Sequence, residues 1–287
     1  DASDVIVVSG GGRGVTATTM IELAAETGAT FVLLGRSALT EEPDQYKSAA
    51  DDGALKRILL AEATTTGATV TPAELNKRAN AIVANREIGD TIAAIEKAGG
   101  RARYVAVDVT DPAAVNAALA KARSEIGPIT GIVHGAGVLA DKLIAEKTDD
   151  QFRMVFDTKV EGLRALLEAT ADDSLKLLCL FSSVAARTGN QGQSDYAMAN
   201  EVLNKVAQAE RSRRGNGCVV KSLGWGPWEG GMVSPSLKAH FESMGVALIP
   251  LAVGARMLVN EIASPQTDDV ELVLGGGVLP EMGAARA

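Results

Sequence analysis

Residues Asp4 to Ala17 read DVIVVSGGGRGVTA, and the rest of the fold follows from them. A short run rich in β-branched residues, Asp4 to Ser9, meets Gly10, Gly11, Gly12 and Gly14 at once, the pattern of a strand ending in a tight turn. From Thr16 to Thr27 the apolar spacing fits an amphipathic helix closed by Gly28, and Thr30 to Leu34 (TFVLL) is a second apolar strand. Together they make one βαβ unit. Gly10 permits the turn, Gly12 and Gly14 let the backbone approach a pyrophosphate, and the helix N-terminus offers free N–H groups with positive dipole character. A glycine-rich turn alone is weak; between a strand and a helix it favours a dinucleotide site over a merely structural turn.

Working outward, Tyr104–Val109, Gly131–His134, Leu175–Ser182, Cys218–Leu223 and Val270–Leu274 supply five more strands, with helical patterns at Asp111–Ile126 and Asp149–Ala171. The alternation predicts an α/β fold: a doubly wound, mostly parallel seven-stranded Rossmann sheet with right-handed crossovers. Residues 38–100 break the rhythm, being far longer than a plain crossover needs. The stretch is charged and Ala-rich, and Pro72 suits the first turn of a long helix running towards Ala98, so it reads as an inserted helical hairpin. It serves as a solvated cover on one sheet face or, alternatively, docks a neighbouring domain. The whole chain, 1–287, is expected to form one Rossmann-type domain ending in a loose tail from Glu281 to Ala287.

The bulk properties agree. With 287 residues, 46% hydrophobic and only 3% aromatic, the composition suits helices packed on Val/Ile/Leu strands. A net charge of −8 argues against nucleic acid as the main partner. No apolar run approaches a membrane span and no signal pattern opens the chain, so a soluble protein without a membrane partner is expected. Cys179 and Cys218 sit in apolar stretches, which points to a reducing cytoplasm rather than a disulfide framework. No residues are assigned to a metal. The chain opens directly on a strand without Met, as a domain cut from a longer polypeptide would.

At the end of the second strand, where NAD-specific proteins place an acidic residue, stand Gly35, Arg36 and Ser37. A guanidinium there pairs with the 2′-phosphate of NADP, Ser37 adds a hydroxyl, and Arg13 either stacks on adenine or reaches the same phosphate. NADPH is therefore the expected cofactor. Asp108, read as ending the third strand, either meets the adenine amino group or caps the next helix.

Ser183 follows the fifth strand, Tyr196 comes thirteen residues later, and Asn200 lies one helical turn beyond, on the face that Tyr196 occupies. With the glycine turn and His134-Gly135-Ala136-Gly137, this resembles the short-chain dehydrogenase/reductase superfamily along nearly the whole chain. Most members carry lysine where this sequence has Asn200. In ketoreductase domains of polyketide and fatty-acid synthases the lysine and asparagine are exchanged, and Lys159, in Thr158 to Gly162, occupies the exchanged place. Phe181 to Ser183, Gly192-Gln193, Tyr196 to Asn200 and Trp225 to Met232 strengthen that resemblance. The turn, the insertion and Gln193 to Asn200 look most like polyunsaturated fatty-acid synthases. Thr16 departs, standing where many relatives have the last glycine of the turn, which a slightly looser helix would accommodate.

The resemblance implies Tyr196 as proton donor, Ser183 as hydrogen-bond donor to the carbonyl, Lys159 as the cation beside both, and Asn200 fixing Lys159 or a relay water. It implies a cofactor surface of Gly10, Gly12, Arg13, Gly14 and Val15 in the turn, Gly35, Arg36 and Ser37 after the second strand, and Asp108 with Val109 after the third. Gly135, Ala136, Gly137 and Pro227, with Lys159 and Tyr196, complete it. Residues 225–250 would form a substrate lid. Leu139, Asp141, Gln193, Trp228 and Met232 are expected around the substrate. Leu139-Ala140-Asp141 keeps part of a Leu-Asp-Asp marker, Thr188 stands where the other stereochemical group has tryptophan, and Met198 replaces a proline, so a (3R)-β-hydroxy product from an unbranched chain is expected. The substrate would arrive as a β-ketoacyl thioester on an acyl carrier protein, met either by Arg211, Arg213 and Arg214 or elsewhere if those arginines serve only their helix terminus. Neighbouring synthase domains, including an N-terminal structural subdomain, are implied. A free-standing alcohol dehydrogenase and a non-catalytic NADP-binding module are the rival readings.

Overall fold

The computed structural model describes residues 1–231, 238, 239, 241, 245–263 and 269–275. Among them, seven strands form one sheet: β1 (Val5–Ser9), β2 (Thr30–Gly35), β3 (Arg101–Ala106), β4 (Gly131–His134), β5 (Leu177–Ser183), β6 (Val219–Trp225) and β7 (Glu271–Leu274). Every pairing is parallel, in the order β3-β2-β1-β4-β5-β6-β7. The order reverses between β1 and β4, and at such a switch a crevice opens beyond the carboxyl ends of the strands.

The helices are α1 (Gly14–Thr27), α2 (Asp44–Lys47), α3 (Asp52–Thr65), α4 (Pro72–Lys97), α5 (Pro112–Glu125), α6 (Asp149–Ala169), α7 (Ala185–Thr188), α8 (Ser194–Arg214) and α9 (Leu251–Ala263). Met20, Leu23, Ile95, Leu258 and Val259 from α1, α4 and α9 bury one sheet face, while Leu119, Leu163, Leu166 and Leu203 from α5, α6 and α8 bury the other. A sheet covered on both faces needs strands apolar throughout, which β1 satisfies with five buried residues of five.

The third strand lies three residues earlier than the sequence pattern suggests. β3 is an edge strand with both end residues exposed, so it tolerates Arg101 and Arg103, whose guanidinium groups bond Thr30 Oγ1 and Glu125. Cationic side chains on an edge are a normal device there, and they hid the strand's true start. In consequence Asp108 stands two residues past the strand, its carboxylate accepting from Thr110 N and Oγ1, and Asp111 rather than Asp108 caps α5.

The inserted segment contains a helical hairpin, as expected, plus the short α2. It has its own small core of Tyr46, Ala49, Leu55, Leu59 and Ala79. Arg86 holds it together, forking onto the Glu42 carboxylate and donating to the carbonyls of Tyr46 and Ala49. α4 begins with a capping box between Thr71 and Glu74 and Pro at its first turn. At 26 residues it is about 39 Å long. Its second half, with Ile88 and Ile95 buried, is the ordinary crossover helix between β2 and β3, while its first half belongs to the insertion.

Candidate active site

The glycine turn sits at the switch point. Gly10 adopts φ 72°, and a Cβ there would come within 2.9 Å of the Ala136 backbone, so the turn and the β4 exit loop touch at a position only glycine allows. Gly14, with φ 67°, faces open space at the start of α1, whose N-terminus has no side-chain cap and no acidic residue in its first turn. Uncapped N–H groups aimed at an open crevice are an anion site. Gly12 has a different reason from the one its spacing suggests: a Cβ there would press on the Tyr104 ring and Ile88, so it serves packing. Thr16 is accommodated by Gly135, where an added Cβ would lie 2.5 Å from the threonine hydroxyl. The missing glycine of the turn has in effect moved to the partner strand's exit.

Arg36 is exposed after β2, and its charge helps hold the Asp108 carboxyl below its usual range, behind the stronger effect of the Thr110 N–H. Arg13 pairs with Glu87 of α4 at 3.4 Å. Beside Arg13 opens a cavity of about 440 Å³ lined by Arg13, Ser37 and, from α4, Lys77, Asn80 and Glu87. The sequence had no means of showing that the insertion helix returns to this end of the crevice.

Ser183 ends β5, Lys159 arrives from the middle of α6, and Tyr196 and Asn200 stand on the first turns of α8. Lys159 Nζ donates to the Phe181 carbonyl at 2.9 Å and lies 5.6 Å from the centroid of the Tyr196 ring. The side chains of Ser183 and Asn200 interact with the phenol and favour its ionised form, but burial dominates and keeps its pKa above the usual value. Burial alone brings Lys159 down to about 8. Asn200 donates from Nδ2 to the Tyr196 carbonyl at 2.8 Å and leaves Oδ1 buried without a partner. Of the two roles expected for Asn200, fixing Lys159 or a relay water, no bond to Lys159 forms; the lysine donates to Phe181 O instead. An orphaned acceptor and a lysine with donors to spare, at the end of the sheet where α1 begins uncapped, suit a bound nucleotide ribose and an ordered water.

His134, which the sequence reading used only as part of a motif, organises this arrangement from below. It is fully buried; its Nε2 lies 2.9 Å from the Lys159 carbonyl and its Nδ1 2.7 Å from Ser9 Oγ. A carbonyl only accepts, so Nε2 carries the proton and Nδ1 accepts from the serine. Burial first, and then the Lys159 charge, depress the imidazole to about 3, leaving it neutral. Ser182 and Ser222 dock α8 in the same manner, donating to Asn200 O and Asn204 Oδ1.

Asp141 and Gln193 are joined, Gln193 Nε2 donating to Asp141 Oδ2 at 2.9 Å, and the Asp141 charge acts on Tyr196. Leu139 is half-buried in the same loop. Pro227 accepts from Ile249 N. Trp228, expected at the substrate, is instead buried in the core: its ring packs tilted by 56° against Trp225, centroids 4.7 Å apart, and occupies the space where a Cβ on Gly254 would stand. A ring this size is worth more filling the core than facing water. Met232 and much of the expected lid lie outside the described residues. Arg213 and Arg214 pair with Glu210, and Arg211 donates to the Gly215 carbonyl, the arrangement of a helix terminus rather than of an open docking patch. Among the described residues no His/Cys/Asp/Glu cluster suits a metal, and no helix is long and apolar enough to cross a membrane.

A parallel sheet with a glycine turn at its switch point and a Ser–Tyr–Lys group at the β5 and α8 ends defines a protein of the short-chain dehydrogenase/reductase type. The KR domain family pattern matches residues 5–230, and the chain belongs to that family. It is 43% identical over 285 residues to a polyunsaturated fatty acid synthase polypeptide of Thraustochytrium sp., covering 96% of this chain and 10% of that protein. The crystal structure of a ketoreductase domain from the bacillaene assembly line aligns with a TM-score of 0.73 at 27% identity, covering 97% of this chain and 57% of that one. A short-chain dehydrogenase from Burkholderia cenocepacia, solved in complex with NADP, shares the fold at TM-score 0.71 and 19% identity, covering 96% and 97%. The chain thus spans a tenth of its synthase relative and about half of the ketoreductase structure.

Proposed function

We propose that this chain is a catalytic domain of a polyketide or polyunsaturated fatty-acid synthase in the cytoplasm, reducing a β-ketoacyl thioester held on an acyl carrier protein to the (3R)-β-hydroxyacyl thioester with NADPH. The observation that carries the reading is the meeting of Ser183, Tyr196, Lys159 and Asn200, drawn from β5, α6 and α8, at the carboxyl end of the sheet where α1 also begins. NADPH, when bound, would supply the hydride for the carbonyl carbon. Ser183 holds the carbonyl oxygen, and Tyr196, protonated at neutral pH, donates its proton as charge builds there. Lys159 stabilises the phenolate that results, and the free Oδ1 of Asn200 receives a water from which the phenol is reprotonated. Helix α4 of the inserted segment lines the nucleotide end of this space.

Arg13, Arg36, Ser37 and the Lys77 contributed by α4 supply the positive wall for a 2′-phosphate. A charge-assisted bond of that kind is worth about 1.5–3 kcal/mol, so Arg36→Asp is expected to weaken NADPH binding about 10- to 100-fold while leaving NADH little changed. Titrating both nucleotides by fluorescence checks this, and equal loss for the two would refute it. The activity itself is tested with an N-acetylcysteamine β-ketoacyl thioester and NADPH, following loss of reduced nicotinamide and resolving the alcohol on a chiral column. Consumption of cofactor with (3R) product is the expected result. Tight NADPH binding without turnover would favour a non-catalytic module, and turnover of simple ketones but not thioesters a free-standing dehydrogenase.

A further inference from the structure

The loop from Leu139 to Lys147, between β4 and α6, stands against the segment that leads into α8. Two bonds join them near solvent: Lys142 N donates to the Gly192 carbonyl at 3.0 Å, and Gln193 Nε2 donates to Asp141 Oδ2. A third connection is of another kind. Lys147 Nζ meets Asp195 Oδ2 at 2.7 Å, and the two side chains are only 4% and 2% exposed. Lys147 also donates to the Ala140 carbonyl at 2.8 Å, closing the loop on itself. The other Asp195 oxygen accepts the N–H of Tyr196 at 2.9 Å. One buried ion pair therefore connects both ends of the loop to the backbone of Tyr196.

Burying two charges is a poor way to gain stability, since an apolar pair of similar size usually does as well or better. Its geometric effect is different, because charge-assisted bonds hold short, directed contacts at both carboxylate oxygens. Asp141 of this loop is bonded to Gln193, three residues before Tyr196, and Lys147 to Asp195, the residue just before it, so the loop flanks the Tyr196 end of α8 and walls the space in which a ketone would meet the phenol. A prochiral ketone presents one face or the other according to how such walls admit its two arms.

We propose that Lys147 and Asp195 are a positioning pair that sets the Leu139–Lys147 loop against Tyr196 and thereby determines which face of the ketone is reduced. This rests on the ketoreductase reading above. The test uses the Lys147→Met/Asp195→Asn double variant, which leaves no lone buried charge and keeps an acceptor for Tyr196 N–H, with Lys147→Arg alone, which keeps both charges but alters the contact, as the milder variant. Thermal midpoint, NADPH dissociation constant, kcat, KM and the (3R):(3S) ratio are measured for each. In the double variant, midpoint and NADPH affinity stay near wild type, kcat falls about tenfold, and the minor enantiomer rises to about a tenth of product or more. The single variant shows the same erosion to a smaller degree and decides the matter if the double variant does not fold. Unchanged kcat and enantiomer ratio in a folded variant would overturn the inference and leave the ketoreductase reading intact. Absence of thioester reduction by the wild type would sink both.

Discussion

Tyr196→Phe is expected to lower kcat for β-ketoacyl thioester reduction by a factor of ~10² to 10⁴, the usual worth of a positioned general acid, while NADPH binds as before. The variant removes one hydroxyl from a ring that is otherwise held by α8, so its packing stays. The proton loses its direct source: Ser183, whose Oγ already accepts from Ala185 N, is far too weak an acid to replace it, and the Lys159 ammonium is bonded to the Phe181 carbonyl. Asn200 keeps its bond to the residue 196 carbonyl, which does not depend on the side chain. Single-turnover rates with saturating NADPH, together with a nucleotide titration, measure both parts. A rate within a few-fold of wild type would remove Tyr196 from the mechanism.

Lys159→Met is expected to abolish turnover by at least about a hundredfold and yet to leave the protein no less stable. Lys159 is 4% exposed, and burial lowers its pKa from 10.5 to about 8. Between those values the unfolded chain binds more protons than the folded one, so stability rises with pH there; below about 8 both forms are protonated and the full cost of the buried charge is present. That cost has a ceiling of about 3 kcal/mol at neutral pH. Methionine removes it but deprives the Phe181 carbonyl of its donor, which costs about 1–3 kcal/mol. The melting midpoint should therefore stay level or rise while activity disappears; a fall of many degrees would contradict this account. The same group sets a pH limb in the wild type. As pH rises through about 8, Lys159 loses its charge and with it the ability to stabilise phenolate, so kcat/KM for reduction declines. A profile flat well above that pH would speak against Lys159 as the stabilising cation.

Most of the frame was legible along the chain because its causes are local. β1, the glycine turn and α1 are adjacent in sequence, and apolar strands alternating with helices leave little choice of topology. The β3 boundary was missed because an edge strand need not be apolar, so Arg101 and Arg103 masked it. Trp228 was misplaced because a large aromatic after a strand reads equally as pocket wall or core, and only the absent side chain of Gly254, far along the sequence, shows which. The exchange between Gly135 and Thr16 was hidden for the same reason.

The order of residues alone specifies the sheet and its nucleotide crevice, which follow from periodicity and from the glycine turn, whereas Ser183, Tyr196, Lys159 and Asn200 stand out in it through their resemblance to the short-chain superfamily and its synthase ketoreductases. It took the folded chain to show that His134 holds Lys159 through its backbone, that α4 returns to line a cavity with Arg13 and Ser37, and that Lys147 is buried against Asp195. Those depend on which residues distant in the chain are excluded from water together. Burial fixes the charge state of His134 and Lys159 and the geometry of the Lys147–Asp195 pair, and no local pattern encodes it.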